Sequence, residues 1–248
     1  MDGGLKAAAP ELSIRSVLSR TLRTLEKARV VFYGLSVVSL LPFMAAGALQ
    51  QTLEPTMTIG EGIGVWAVYG LSAVFSAFVD GAICHAALRT VQGNKASFSG
   101  SVAFAITHFR SLLLVSLLTG LGIFAGTCLL IIPGLILACY WMVAIPACVT
   151  EELGARASIR RSTELTRGNR KKVFAFMVAF FVLAVLLGVV QNAVAEILGL
   201  NILLEELLYL LLQLVPQTFY SVAVFIMYSD LRGGREGVFL THLGQVFD

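Results

Sequence analysis

The chain has 248 residues, of which 57% are hydrophobic and only 13% are charged, with a formal net charge of +3 at pH 7. About a quarter of the residues in a water-soluble domain are usually charged, and a soluble core of this length could not hide so much apolar surface. The composition therefore excludes an ordinary soluble protein and predicts that lipid covers much of the surface.

Six apolar segments are long enough, or nearly so, to cross a bilayer, which requires about 20 apolar residues. They cover roughly residues 30–49, 65–88, 111–132, 134–150, 173–194 and 203–227. We therefore predict an all-α, six-span transmembrane helical bundle, with a leader at 1–29, one membrane domain at 30–228 and a tail at 229–248. The leader has no short apolar region followed by a small-residue cleavage site, so we expect the first span to be an uncleaved signal anchor.

All 18 lysine and arginine residues lie in alternate connections between these segments. The leader, the regions 89–110 and 151–172 and the tail carry them, whereas the connections around 50–64, 131–134 and 195–206 carry none. The positive-inside rule assigns the basic side to the cytoplasm. We therefore predict that both termini are cytoplasmic and that the protein lies in a bacterial cytoplasmic (inner) membrane.

Three of the basic connections also show a helical pattern with one less polar face. The patterned residues lie within 14–25, 98–109 and 155–166. Ser13 and Ser97 suit N-cap positions, and Gly168 suits the position that follows the third helix. We predict three amphipathic interfacial helices on the cytoplasmic side, each followed by a transmembrane hairpin.

The densest positive charge lies in RASIRRSTELTRGNRKKVF, residues 156–174, which holds seven basic residues and one acidic residue. Beside a membrane, such a cluster attracts anionic headgroups and also helps to set the topology. Nucleic acid is a poor match, because no aromatic residues alternate with the basic ones. Two interpretations stay open, a topology determinant and a lipid-phosphate site formed by Arg160, Arg161, Arg167 and Arg170. On a helix, Glu164 can pair with Arg160 or Arg161.

One acidic residue, Asp80, lies deep within a predicted span. An ionised carboxylate at that depth is costly, so Asp80 should face the interior of the bundle. We expect it to be protonated, or hydrogen-bonded to a neighbour such as Asn192 or Gln213. The pattern is compatible with a structural hydrogen bond and with a proton or substrate site.

Several other residues indicate packing. Pro133 and Gly134, in the sequence IIPG, predict a tight extracytoplasmic turn, because proline lacks a backbone N–H and breaks helices. Gly122 and Gly126 lie four residues apart and favour close helix contact. The four cysteines form no C-x-x-C pair and the three histidines share no metal-ligand spacing, so we expect no metal and no cofactor.

The segment LLIIPGLILACYWMVAIPACVTEELGARASIRRSTELTRGNRKKVF, residues 129–174, combines an I-P-G sequence, an acid at Glu151 and a basic helix containing ELTRGN. It resembles the core signature of the glycerophosphoryl diester phosphodiesterase membrane-domain family and its small, uncharacterised multi-pass relatives. The closing YSDLRGGREG, 228–237, is similar to the ending of that family, whereas Thr163 stands where the family often has tryptophan. In the phosphodiesterases this membrane part accompanies a separate catalytic barrel, for which the six spans leave no room.

The resemblance therefore implies a membrane module rather than a phosphodiesterase. We expect a non-enzymatic multi-pass protein that binds or organises phospholipid. Its expected partners are membrane lipids, chiefly anionic ones, and either another membrane protein or a second copy of the chain. A small transporter or channel with a polar path near Asp80 is the second hypothesis. A membrane-embedded enzyme is the third, although no catalytic constellation is visible in the sequence.

Overall fold

The computed structural model describes residues 12–53 and 58–236, which form α-helices joined by short connections. In chain order the helices are α1 (Ile14–Lys27), α2 (Arg29–Leu53), α3 (Ile59–Val91), α4 (Phe98–Thr107), α5 (Phe109–Leu129), α6 (Ile131–Trp141), α7 (Ala144–Glu151), α8 (Ala155–Thr166), α9 (Arg170–Leu198) and α10 (Ile202–Glu236). The predicted all-α bundle is confirmed. Residues 1–11 of the predicted leader and 237–248 of the predicted tail lie outside the described residues.

Six long apolar segments correspond one to one with the predicted spans. They are α2, α3, α5, the pair α6 and α7, α9, and α10. Each is long and apolar enough to cross a membrane, so the chain is a multi-pass membrane protein. Most of the helices extend beyond the predicted spans, although α5 ends at Leu129 rather than at 132. Helix α10 continues through the first residues of the predicted tail to Glu236. At about 1.5 Å per residue it is longer than the hydrocarbon layer is thick, so one end projects beyond the bilayer.

The basic connections meet at one end of the bundle, which we call the basic end. Arg20 in α1 forms an ion pair with Asp230 near the end of α10, and α8 packs against the same helix. At the opposite end, the Glu206 carboxylate of α10 lies against Gly47 of α2. The connections rich in Lys and Arg therefore lie at one end of the bundle, and the connections without them lie at the other.

The turn between α5 and α6 lies before the predicted one. Leu130 alone separates the two helices and has an extended backbone, with φ −161° and ψ 140°. Pro133 and Gly134 were predicted to form the turn, and this was wrong because both lie in the first turn of α6. Proline is tolerated there because the first backbone N–H groups of a helix have no intrahelical acceptor.

Glycines allow α5 and α6 to approach closely. A Cβ atom on Gly126 would lie 3.1 Å from Cα of Gly134, and one on Gly122 would lie 2.6 Å from Cη2 of Trp141. The predicted close contact at Gly122 and Gly126 is therefore confirmed, with α6 as the partner helix. The short hairpin packs tightly because Gly122 and Gly126 leave room for Trp141 and Gly134 of α6.

The fourth span is interrupted. Met142 and Val143 separate α6 from α7, and α7 is almost wholly buried through Ala144, Pro146, Ala147, Cys148 and Val149. Pro146 lies in the first turn of α7 and therefore begins a helix rather than bending one. The break turns the chain inward, so that Glu151, at the end of α7, reaches the centre of the basic end.

Helix α10 is central and α9 is peripheral. Nearly every residue of α10 from Thr218 to Leu231 is buried, whereas only Val173 and Phe176 of α9 are. Most of the apolar surface of α9 is exposed and requires a lipid environment.

The three short helices of the basic end, α1, α4 and α8, are present. Their buried residues are mostly small or polar, such as Ser101 in α4 and Ser158 in α8. Larger apolar residues point outward, with Leu22 54% and Ile106 63% exposed. Ser97 accepts a hydrogen bond from the N–H of Gly100, as expected of an N-cap, whereas Ser13 makes no side-chain cap bond.

Candidate functional site

Arg161 lies in the middle of an ion-pair network at the basic end. Its Nε donates to both carboxylate oxygens of Glu151, at 2.9 and 3.0 Å, and its Nη2 donates to Glu236. The Tyr228 hydroxyl donates to Glu151 at 2.7 Å, and Arg232 pairs with Glu236 at 2.9 Å. We call these five residues the charge cluster. It ties the ends of α7 and α10 to α8.

The charge cluster removes Arg161 from the predicted lipid-phosphate site. Its side chain is only 21% exposed, and two carboxylates accept hydrogen bonds from its Nε and Nη2. Burial by itself lowers the pKa of this guanidinium, but the hydrogen bonds with Glu236 and Glu151 outweigh burial and raise the pKa. The guanidinium therefore forms its ion pairs within the protein, with Glu151 and Glu236.

The other three predicted arginines lie in different surroundings. Arg160 is 81% exposed and pairs with Glu164 at 3.7 Å, which confirms one of the two predicted helix pairs. The side chain of Arg167 is exposed, and its backbone carbonyl accepts a 2.6 Å hydrogen bond from Arg235. Arg170 lies at the start of α9. The predicted four-arginine site is therefore not one site.

Arg170 lies against Tyr140 of α6. Its guanidinium carbon is 3.8 Å from the centre of the tyrosine ring, and its Nη1 donates to the tyrosine hydroxyl at 3.0 Å. Ser162 of α8 donates to the Tyr140 carbonyl at 2.7 Å and so holds that turn of α6 in place. The Arg170 Nε is buried and has no hydrogen-bond partner among the described residues.

A groove of about 430 Å³ runs from Arg170 along the surface between α6 and α9. Arg170, Lys171 and Tyr140 line one part of it. The remainder is apolar and is lined by Ile132, Leu135, Ile136, Cys139 and Phe174. We call it the α6–α9 groove. Two cations thus lie beside an apolar channel that is open to the exterior of the bundle.

The intramembrane polar residues are not brought together as expected. Asp80 is partly buried, and its carboxylate accepts a 2.7 Å hydrogen bond from Ser221 of α10. Asn192 instead lines a cavity at the opposite end of the bundle with Glu205 and Glu206. Gln213 lines a depression between α9 and α10. The expectation that Asn192 or Gln213 is the partner of Asp80 is therefore corrected, because Ser221 is the residue that α10 places opposite it.

Sequence reasoning did not single out Tyr228, Arg232 and Glu236 as one group. They follow each other at intervals of four residues, which places them on one face of a helix. That spacing was a usable signal for a charged face at the end of α10. No signal in the sequence pointed to Tyr140, because one tyrosine in an apolar segment is not distinctive.

The described residues contain no group of three or more His, Cys, Asp or Glu side chains that could hold a metal ion. Comparison of the chain with protein-family models, with curated proteins and with solved structures finds no match. The resemblance to the phosphodiesterase membrane-domain family therefore stays a prediction.

Proposed function

We propose that this protein is a non-enzymatic membrane module that binds anionic phospholipid in the α6–α9 groove. The observation that carries the proposal is the combination of Arg170 and Lys171 with an apolar channel in one groove. A phospholipid has the same two parts, an anionic phosphate and an apolar chain. The cations attract the phosphate, and the channel takes part of an acyl chain.

The unpaired nitrogen of Arg170 supports this assignment. A buried N–H without a partner costs about 1–3 kcal/mol, and the Arg170 Nε is buried with no partner among the described residues. A phosphate oxygen is a suitable acceptor, because guanidinium groups bind phosphate through paired N–H donors. The Tyr140 ring holds the guanidinium in position, which lowers the entropy that binding would cost.

The proposal includes an orientation. We infer that the basic end faces the cytoplasm of a bacterial cell, because all 18 lysine and arginine residues lie in connections of the same parity. Anionic lipids attract cations most strongly at the cytoplasmic leaflet. The two arginines of the predicted tail and the six basic residues of the leader belong to the same side.

Reporter fusions test the orientation. A reporter inserted after Glu61 or after Leu200 is expected to read extracytoplasmic. Glu61 lies in the first turn of α3 and Leu200 between α9 and α10, and the connections at both places carry no positive charge. A reporter inserted after Gly154, before α8, is expected to read cytoplasmic. A cytoplasmic signal at Glu61 or Leu200 would contradict the proposed orientation.

Lipid retention tests the groove. In nanodiscs of phosphatidylcholine with a minor share of phosphatidylglycerol, the variant Arg170→Gln/Lys171→Gln should retain phosphatidylglycerol about 30-fold less well, since each of the two cations contributes about 1 kcal/mol near a charged surface. Native mass spectrometry measures the retained lipid. The matched control is Arg156→Gln/Arg160→Gln, which removes the same charge from α8 outside the groove.

Two further variants separate shape from charge. Ile136→Trp fills the apolar part of the groove without changing its charge, and it should also lower retention of phosphatidylglycerol. Arg170→Lys keeps the charge but lacks the paired donors of a guanidinium, so it should bind less tightly than the wild type. Equal retention by the groove variants and by the α8 control would exclude the α6–α9 groove as the binding site.

A further inference from the structure

A second cavity lies at the basic end, away from the α6–α9 groove. It has a volume of about 720 Å³ and lies between the α1–α2 junction and the turn from α3 to α4. It shares no lining residue with the α6–α9 groove. Its charged lining residues are Glu26, Lys27, Arg29 and Lys95, and we call it the junction cavity.

The three cations of the junction cavity have no carboxylate partner in the part of the chain that the structure describes. Within residues 12–53 and 58–236, neither Lys27, Arg29 nor Lys95 forms an ion pair or a side-chain hydrogen bond. By contrast, Arg20, Arg161 and Arg232 of the same end are each paired with a carboxylate. The cavity therefore gathers like charges from two separate connections and leaves them without compensation, apart from the one carboxylate of Glu26.

The surroundings of the junction cavity also suit an anion. Asn94 supplies an amide at its edge. Helix α2 begins at Arg29 beside the cavity, and α1 and α3 end beside it at Lys27 and Val91. The charges of these helix ends offset one another, so the attraction for an anion comes from the side chains of the three cations. The volume lies within the range of small-molecule sites, about 300–1,000 Å³. Val30 lines the cavity and is 87% exposed, which places an apolar rim next to the cations.

We propose that the junction cavity is a second anion site that binds a phosphate group through Lys27, Arg29 and Lys95. The phosphate belongs either to a lipid headgroup or to a small soluble phosphate compound. Both sources present a phosphate group with one or two negative charges to the three cations. The exposed apolar rim at Val30 suits a lipid, and the open cavity suits a soluble ligand. The test therefore uses a lipid and a soluble phosphate as probes.

Two binding assays distinguish the sources. In the first, inorganic phosphate is titrated calorimetrically into the protein in nanodiscs of phosphatidylcholine alone. In the second, the protein is placed in phosphatidylcholine nanodiscs that contain phosphatidic acid, and native mass spectrometry measures the phosphatidic acid that it retains. The cavity variant is Lys27→Gln/Arg29→Gln/Lys95→Gln. The control is Arg15→Gln/Arg23→Gln/Arg156→Gln, which removes the same charge from exposed positions of α1 and α8.

The cavity variant should bind at least about tenfold more weakly than the control in one assay, because three cations that converge on one phosphate are lost. Loss in the first assay identifies a soluble phosphate, and loss in the second identifies a lipid headgroup. Glu26→Gln, which removes the acid and keeps all three cations, should bind severalfold more tightly, and it tests the site even if the triple variant fails to fold. Equal binding by the cavity variant and the control in both assays, with no gain from Glu26→Gln, would overturn the proposal.

Discussion

Arg161→Ala should destabilise the folded protein by about 2–3 kcal/mol, because it leaves the carboxylates of Glu151 and Glu236 without their shared partner in a partly buried site. The side chain of Arg161 is 21% exposed, and its Nε alone makes two hydrogen bonds of 2.9 and 3.0 Å. The free energy of unfolding, measured by denaturant titration in detergent micelles, is the readout.

The neighbouring arginine provides a matched control. Arg160→Ala removes the same charge from the same helix, but Arg160 is 81% exposed and its pair with Glu164 spans 3.7 Å. Such exposed pairs contribute about 0–1 kcal/mol, so this variant should be nearly as stable as the wild type. Equal destabilisation by the two substitutions would show that the charge cluster does not hold the basic end together.

A double-mutant cycle separates the ion pair from other effects of truncation. Arg161→Ala and Glu236→Ala should be non-additive, because each substitution removes the same Arg161–Glu236 ion pair, which can be lost only once. The cycle also tests whether α8 is attached to the end of α10. These two residues are 75 positions apart in the chain, so their coupling reports tertiary structure and not helix propensity.

Gly134→Ala is expected to destabilise the α5–α6 hairpin by about 1–3 kcal/mol or more, the usual cost of overpacking. The new Cβ would lie 2.8 Å from the backbone N and 2.9 Å from the Cα of Thr127. These are backbone atoms, so no change of rotamer can relieve the clash and the two helices must move apart. Denaturant titration measures the loss, and a spectroscopic distance between labels on α5 and α6 measures the separation.

Gly120→Ala is the control for this substitution. Gly120 lies in α5 as well, but a Cβ there would meet nothing within 4 Å. Alanine is favoured over glycine within a helix by up to about 1 kcal/mol, so the control should be neutral or slightly stabilised. If Gly134→Ala behaves as Gly120→Ala does, the close approach of α5 and α6 is not required for the fold.

The ion pairs divide the basic segment at 156–174 into cations with different roles. Arg161 is compensated internally and has a structural role. Arg170 and Lys171 line the α6–α9 groove. Arg156 and Arg160 are exposed on α8 and serve as the control positions in the lipid assays. A variant that removes all seven charges together would mix these roles.

The sequence by itself determined the membrane class, the number of apolar spans and the alternation of charge. These properties are local, because hydropathy and charge accumulate over about 20 consecutive residues and do not depend on which helices touch. The short helices α1, α4 and α8 were also predictable. Their helical period and a cap such as Ser97 depend only on residues within one short segment. The four-residue spacing of Gly122 and Gly126 is also a local signal, and it predicted a close helix contact at these glycines. It did not identify the helix that packs there.

Only the tertiary structure decided which polar groups meet. Arg161 pairs with Glu236, which lies 75 positions away in the chain. Asp80 bonds to Ser221, which lies 141 positions away. No local pattern in the sequence specifies such pairings. The position of the α5–α6 turn was also decided by packing, because Gly134 was needed against Thr127 and Pro133 was tolerated in the first turn of α6. Hydropathy selects the segments that enter the bilayer, and the contacts between them determine which charges are neutralised and which stay free to bind an anion.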